Sequence, residues 1–551
     1  MLPFGSGSDA PGWGTRGVML DVGRHYYPPE FLTDMCAYLS FFKQNTFHLH
    51  LSDNLFNNVG LYSRERSLDL YAAFRLNSDD PAVAGLVRPY RFNESYTRAT
   101  FDGIQASCAA RGVTIIPEIE APGHALVIAQ WKPELALPDL SLLNISHPET
   151  IPTVQSIWRT FLPWFHCKTV HIGADEYDSA LAHEYNRFVN TMSSFIGASS
   201  GKDIRIWGTN EPSNTSSVSH NITIQHWEFF EDNPLALLTQ GYRVLNSDDA
   251  FYIVGKWSGS YPQQLNVSRI FAGNPAGGAW APFVFDTKNA TNNPPRAHPG
   301  VVGHVAAQWN DYGPNATTVR EAYYAWRDGL PALADKQWGG ALTRAQYDAV
   351  FEQLHSVVPG QNLDRAIASK TDVILRYDFA GKGARIKDAS GNGYDGTCHG
   401  CFVRGGVATF ASPTSRLTTP LGSKGRDYTL SFAVNPSSRA RRGAPILSGP
   451  DSALVLGNGT RASLALIAGG QTYALNYTLP RDAWTDVALV GRGGGTFLRA
   501  GGAPEMQFLT VLGVNGASFR WQPVAVEAPV AQIGGNGFVG SIARVLLTGS
   551  A

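Results

Sequence analysis

The sequence predicts an α/β fold: a (β/α)8 barrel followed by an all-β jelly-roll sandwich. Three observations carry that reading. Short apolar strands alternate with helical stretches from residue 16 onward, as the repeating units of a parallel barrel must. Polar residues gather where those strands end, the face on which such barrels build sites. From Val373 the character changes to short strands, abundant glycine and few helices. The 551 residues therefore divide into a barrel with trailing helices, 1–372, and a sandwich, 373–551.

The strands are read at Val18–Val22, Thr46–Leu51, Val113–Ile119, Thr169–Gly173, Ile204–Gly208, Ile222–His226, Arg243–Asn246 and His304–Gln308. Each is a short apolar, largely β-branched run, as a buried parallel strand requires. Helical patterns lie between many of them, at Pro29–Lys43, Tyr96–Arg111, Glu149–Phe165, Ser179–Phe195 and Val319–Leu333. Thr343–Val357 and Asp364–Ser369 read as further helical stretches.

The strand ends carry the chemistry. Strand one ends at Asp21 and Arg24, strand two at His48, His50 and Asp53, and strand three at Glu118, Glu120 and His124. Strand four stops in two adjacent acids, Asp175 and Glu176. Trp207 and Trp227 close strands five and six, Tyr252 follows strand seven, and Trp309-Asn310-Asp311 closes strand eight. Taken singly, each has an ordinary reading. The acid pair reads as a helix N-cap, Asp53 as an Asx turn, Arg24 as a surface ion pair and any one tryptophan as core packing. Their shared position at strand ends argues for a site.

Net charge is −1 with 16% charged residues, so nothing points to nucleic acid or an anionic membrane. No apolar run is long enough to span a bilayer. Residues 1–15 lack the basic start and apolar core of a signal peptide. Yet Asn-X-Ser/Thr sequons fall at Asn93, Asn144, Asn214, Asn221, Asn266, Asn289, Asn315, Asn458 and Asn476. That density points to a glycosylated, secreted protein whose leader was removed. Of five cysteines, Cys36, Cys108 and Cys167 read as small core residues or one disulfide. Cys398-His-Gly-Cys401 reads as a local disulfide, because a redox or zinc site needs a setting that is absent.

Four segments carry a resemblance: Arg16-Gly-x-x-Leu-Asp-x-x-Arg24-His, Asn45-x-Phe-His-x-His-Leu-Ser-Asp53, Pro117-Glu-Ile-x-x-Pro-Gly-His124 and His171-Ile-Gly-Ala-Asp-Glu176. In order and spacing they resemble glycoside hydrolase family 20, the β-N-acetylhexosaminidases and lacto-N-biosidases. The resemblance implies substrate-assisted hydrolysis with retention, in which the sugar's own acetamido oxygen attacks C1. Glu176 would be the general acid, protonated because indoles and burial raise its pKa. Asp175 would hold the acetamido N–H, and Tyr252 would donate to the acetamido oxygen. Asp53 and His124 would relay behind Glu176. Arg24 would fork onto sugar hydroxyls. Trp207, Trp227 and Trp309 would cage the acetamido methyl, and Trp280 would line the leaving-group side. Asp311 would contact the terminal sugar. No metal or cofactor is called for, and His48 and His50 find no third ligand of suitable spacing.

Two positions depart from the pattern. Many members have Tyr-x-Asp where this chain has Tyr252-Ile253-Val254, and Trp-x-Glu where it has Trp309-Asn310-Asp311. Both changes open space around O4 and O6 of the sugar. The expected substrate is an oligosaccharide or glycoconjugate with terminal N-acetylhexosamine. The alternative is a lacto-N-biosidase, which resembles this chain at Trp-x-Asp, and retention of Arg24 favours the single-sugar activity. An alternative of another class is a non-catalytic glycan-binding protein, against which the intact Asp175, Glu176 and Tyr252 set argues. A monomer and a homodimer are both compatible with the sequence.

In the second domain Tyr377-Asp378-Phe379, the turn-rich Asp388–Gly396 and the closing Phe538–Val545 resemble a laminin-G or concanavalin-like sandwich, whose opening and closing strands pair. Carbohydrate binding and a structural appendage are both open readings. Only Trp484 and Trp521 remain there as indoles.

Overall fold

The computed structural model describes residues 9–55, 60–209, 216–457, 462–514 and 518–550. The sequon residues Asn214 and Asn458 lie outside the described residues, as do residues 1–8. The chain forms two compact units. One comprises 1–314 with 322–361, the other 315–321 with 362–551.

In the first unit eight strands form one parallel sheet. They are β1 (Thr15–Asp21), β2 (Thr46–His50), β3 (Thr114–Glu118), β4 (Thr169–His171), β5 (Asp203–Trp207), β6 (Thr223–His226), β7 (Arg243–Asn246) and β8 (Val301–Trp309). Each pairs in parallel with the next. Strand β1 also pairs with β8, from Thr15 opposite Gly303 to Leu20 opposite Gln308, and this closes the ring. The expected barrel is therefore present. A two-residue strand, Ile253–Val254, pairs with the end of β8 and carries Tyr252 on its approach.

The strands are buried on both faces, with polar side chains collecting inside toward their carboxyl ends. Met19, Trp207, Leu245, Tyr252, Val305 and Ala307 pack inside as one cluster. Outward residues meet helices such as α1 (Pro29–Phe41), α2 (Arg98–Ala109), α3 (Thr150–Phe161) and α4 (Ala182–Ser200). A disulfide between Cys36 and Cys108 joins α1 to α2. Cys398 and Cys401 form a second disulfide, and Cys167 is a buried free thiol.

Close approach of β1 to β2 depends on Gly17. A Cβ there would lie 1.9 Å from the Thr46 carbonyl oxygen, a backbone atom that cannot swing away. Gly17→Ala is expected to destabilise the barrel by about 2 kcal/mol through overpacking, read as a lower urea midpoint at unchanged slope.

Two helical expectations differ from the structure. Val319–Leu333 is two helices, Val319–Arg327 and Leu330–Gln337. Pro331 cannot donate back to the Arg327 carbonyl, so the helix stops and restarts with proline in its first turn. Asp364–Ser369 is not helical. Arg365 is left-handed at φ 47°, and its guanidinium is held by Asp451 at 2.9 and 3.0 Å.

The second unit contains two eight-stranded antiparallel sheets around a single hydrophobic core. The opening strand Val373–Tyr377 pairs with the closing strand Gly540–Thr548, Tyr377 facing Val545. Asp388 and Asp395 are occupied by their own turn: Asp388 accepts from the Arg376, Ser390 and Tyr394 amides. Asp395 accepts from the Asp388 amide and from Arg385.

Among the described residues no helix is long and apolar enough to cross a membrane. The seven described sequon asparagines are all at least partly exposed.

Candidate active site

The carboxyl ends of the strands converge on one rim. Strand β4 ends at His171, and the chain then turns through Gly173 (φ 70°), Ala174 (φ 74°) and Asp175 to Glu176 (φ 48°). In an extended strand, adjacent side chains point to opposite faces. The left-handed residues remove that constraint. Asp175 is buried and Glu176 has 52% of its side chain exposed, yet both carboxylates meet His124 Nε2, at 3.9 and 2.9 Å.

A chain of alternating charge runs from the barrel interior to Glu176. Glu118 is fully buried at the end of β3. Trp207 Nε1 donates to its Oε1 at 2.6 Å, and the His48 and His171 rings lie 2.9 Å away. The His50 ring bridges two carboxylates: Nδ1 is 2.6 Å from Glu118 Oε2 and Nε2 is 2.7 Å from Asp53 Oδ2. A ring that donates at both nitrogens is an imidazolium. Asp53 Oδ1 in turn meets His124 Nδ1 at 3.1 Å, and His124 Nε2 meets Glu176 Oε2 at 2.9 Å.

The protonation states follow from this geometry. Burial disfavours charge on His50 and His124, but their carboxylate neighbours outweigh it and both rings titrate well above the usual histidine range. Burial would raise Asp53, yet Arg24, His124 and His50 hold it below the usual carboxylate range. Burial lowers His48, and it lowers His171 to about 3, so both stay neutral. Asp175 is pushed up to about 6, chiefly by burial, with Glu176 and Glu118 adding to the rise.

Glu176 runs against expectation. Its pKa is lowered, first by the hydrogen bond from His124 and against the effect of burial. The indoles do not wall it in, and the proton of this pair resides on His124.

These shifts fix a pH dependence of stability. The raised His124 contributes fully below its unfolded pKa of about 6.5, and the contribution fades as pH rises through the folded value. The depressed Asp53 contributes above about 3.9 and loses that contribution as pH falls toward its folded value. In Asp53→Asn the His124 ring loses the carboxylate that faces its Nδ1 at 3.1 Å. Its NMR titration is expected to move to lower pH, and Glu176 to titrate higher.

Arg24 is drawn into the same network. Its Nε donates to the Asn54 carbonyl at 2.9 Å. Its terminal nitrogens reach Asp21 at 3.0 Å, Asp53 at 2.7 Å and Asp311 at 3.3 Å. The guanidinium also lies 5.6 Å from the Trp309 ring centroid.

Beside the acids stands an aromatic cage. Trp207 and Trp309 lie 5.2 Å apart, and Tyr252 packs within 6.2 Å of Trp227 and 6.5 Å of Trp309. Trp227 Nε1 is anchored on the Gly208 carbonyl at 2.7 Å. Two buried polar atoms here have no hydrogen-bond partner: Asp175 Oδ1 and the Tyr252 hydroxyl oxygen. Burying such groups unpaired is costly, so their position is informative.

The structure thus brings together Asp53, His124, Asp175, Glu176, Tyr252, Arg24, Trp207, Trp227, Trp309 and Asp311. It does not bring Trp280 to them. That indole is fully buried against Phe251 and His304, and its Nε1 donates to the Val284 carbonyl at 3.0 Å. His304 and Trp309 have opposite parity on β8, so Trp280 packs on the outer face of the strand. The proposed leaving-group role is corrected to core packing.

Single-strand spacing also missed the neighbours of His48 and His50. The ligand atoms of His48, Glu118 and His171 lie within 4.8 Å of one another, as do those of Asp21, His50 and Asp53. Adjacent strands supply the third members. Also unforeseen is Tyr261, whose ring lies 5.7 Å from Tyr252 and whose hydroxyl donates to Glu228 Oε2 at 2.8 Å. It sits in a loop whose sequence carries no signal for it.

Residues 13–341, more than half the chain, match the family described as glycosyl hydrolase family 20, catalytic domain. The chain belongs to that family. It is 24% identical over 353 residues to a β-N-acetylhexosaminidase of Cellulomonas fimi, covering 60% of this chain and 64% of the relative. It is 28% identical over 326 residues to a lacto-N-biosidase of Bifidobacterium bifidum, covering 53% of this chain and 27% of the relative. The chain thus spans less than two thirds of the length of these curated relatives. A solved mutant Streptomyces plicatus β-hexosaminidase in complex with product GlcNAc matches at 18% identity and a TM-score of 0.48. That match covers 64% of this chain and 70% of the other.

Proposed function

We propose that this chain is a retaining exo-glycosidase that removes terminal β-linked GlcNAc or GalNAc from an oligosaccharide or glycoconjugate. One observation carries the reading. Asp175 Oδ1 and the Tyr252 hydroxyl are buried and unpaired beside an indole cage. One is an acceptor and the other a donor, the complement of an acetamide N–H and C=O.

The acetamido oxygen attacks C1 as the glycosidic bond breaks, and Glu176 relays to the leaving oxygen the proton that His124 holds at rest. His124 is left neutral behind Glu176, facing Asp53 at 3.1 Å. Asp175 stabilises the positive charge that develops on the acetamide nitrogen. Tyr252 aims the oxygen at C1. Water then attacks C1 of the oxazolinium, gives up a proton through Glu176 back to His124, and regenerates the acetamide. The two displacements give net retention.

Val254 is buried and pairs with Trp309, while Asp311 is exposed and touches Arg24. That pair favours a second reading, release of Gal-β-1,3-GlcNAc, in which the rim accommodates another sugar. Nitrophenyl glycosides of GlcNAc, GalNAc and lacto-N-biose, assayed side by side, decide between them. Turnover of the disaccharide alone sinks the first reading, and binding of all three without turnover supports a glycan-binding protein. The sandwich we read as laminin-G or concanavalin-like from its paired first and last strands. Surface-exposed sequons support a secreted glycoprotein, which a mobility shift on deglycosylation tests.

A further inference from the structure

Glu120 lies just past β3 and is buried to 1% exposure. Its Oε1 accepts the Ala174 N–H at 2.8 Å. Its Oε2 has no hydrogen-bond partner, and His50 Nδ1 is 4.0 Å away. From the first turn of α4, the Tyr185 hydroxyl donates to the Ala174 carbonyl at 2.6 Å. Both backbone polar groups of Ala174 are therefore held by side chains rather than by a strand ladder.

This residue is where the chain most needs holding. Ala174 is left-handed, a conformation that an L-residue with a Cβ resists. Its neighbour Gly173 has no room for a side chain, because a Cβ there would lie 1.8 Å from the Glu120 carboxyl. Relaxation of Ala174 toward extended backbone would carry Asp175 and Glu176 together away from His124, which they meet at 3.9 and 2.9 Å.

We propose that Glu120 and Tyr185 are positioning residues that clamp the Ala174 peptide and thereby set the direction in which the Asp175–Glu176 pair leaves β4. The clamp rests on the roles proposed above for those two acids. Charged and titratable groups facing Glu120 are Glu118 and His50 on β3 and β2, Asp175 after β4, and His124. Burial, with Asp175 and Glu118, keeps Glu120 well above the usual carboxylate range and hence neutral. A neutral side chain that accepts one amide hydrogen is a role glutamine can fill.

The test compares Glu120→Ala, Glu120→Gln, Tyr185→Phe and Glu176→Gln on whichever glycoside of the panel is turned over, with an unactivated leaving group. Because a displacement near 1 Å in a site costs about 100-fold, Glu120→Ala is expected to lose about 100-fold in kcat with little change in KM. Glu120→Gln is expected to recover to within about tenfold of wild type, and Tyr185→Phe to lose about tenfold in kcat. Wild-type kcat in a folded Glu120→Ala, or a Glu120→Gln as slow as Glu120→Ala, overturns the clamp. Should Glu120→Ala fail to fold, unchanged kcat in Tyr185→Phe overturns it instead. Wild-type turnover in Glu176→Gln means that the acid assignment itself is wrong. Loss there beside an unaffected Glu120→Ala removes only the clamp.

Discussion

Glu176→Gln is expected to lower kcat by about 10²–10⁴ on glycosides with poor leaving groups, the usual worth of a positioned general acid. Glutamine keeps the shape of the side chain and accepts from His124, so sugar binding should persist. The loss should shrink sharply on a dinitrophenyl glycoside, whose leaving oxygen needs no proton. Comparing the two leaving groups on one variant isolates proton donation from positioning. An equal loss on both would place the acid elsewhere. His124 Nε2, 2.9 Å from the lost carboxylate oxygen, would titrate lower once its anion is gone. The variant therefore also reports on the pair by NMR.

Asp175→Asn is expected to cost about 10²–10³ in kcat, comparable to removing one preorganised group that meets charge developing in the transition state. The mechanism is electrostatic. The carboxylate sits in a buried setting, where a full negative charge opposite a developing oxazolinium acts more strongly than an amide dipole. KM should change less than kcat, because the charge appears only as the reaction proceeds. The wild-type pH profile should carry an acid limb near pH 6, since Asp175 is raised to about 6 and must ionise to act. Activity rises with pH through that value, and the limb should vanish in Asp175→Asn. Steady-state kinetics from pH 4 to about 8 check both statements.

Much of this was readable in the residues. Alternation of apolar runs and helical stretches located the barrel strands, because a buried parallel strand leaves a short unbroken hydrophobic run. Arg24, Asp53, His124 and the acid pair punctuate strand ends, and the family resemblance is what assigns them roles. What sequence could not show was contact between strands. Glu118 and His171 stand beside His48 only once β2, β3 and β4 are in register. Trp280 misled because a tryptophan in a Gly-rich loop gives no hint of which face of β8 it will cover. The direction of the Glu176 shift was missed for a similar reason. That shift comes first from the hydrogen bond with His124, a contact between the ends of β3 and β4 that neither segment announces alone.

The buried anion of Glu118 has a consequence for how the barrel comes apart. Its carboxylate is in contact with side chains from β2, β4 and β5 as well as standing on β3. Pulling any one of these strands away strands a charge in an oily interior with too few partners, a penalty far larger than that of fraying an ordinary edge. Amides of β2 to β5 should therefore exchange with solvent as one cooperative block, while β6 and β7, outside the reach of that anion, are free to open earlier.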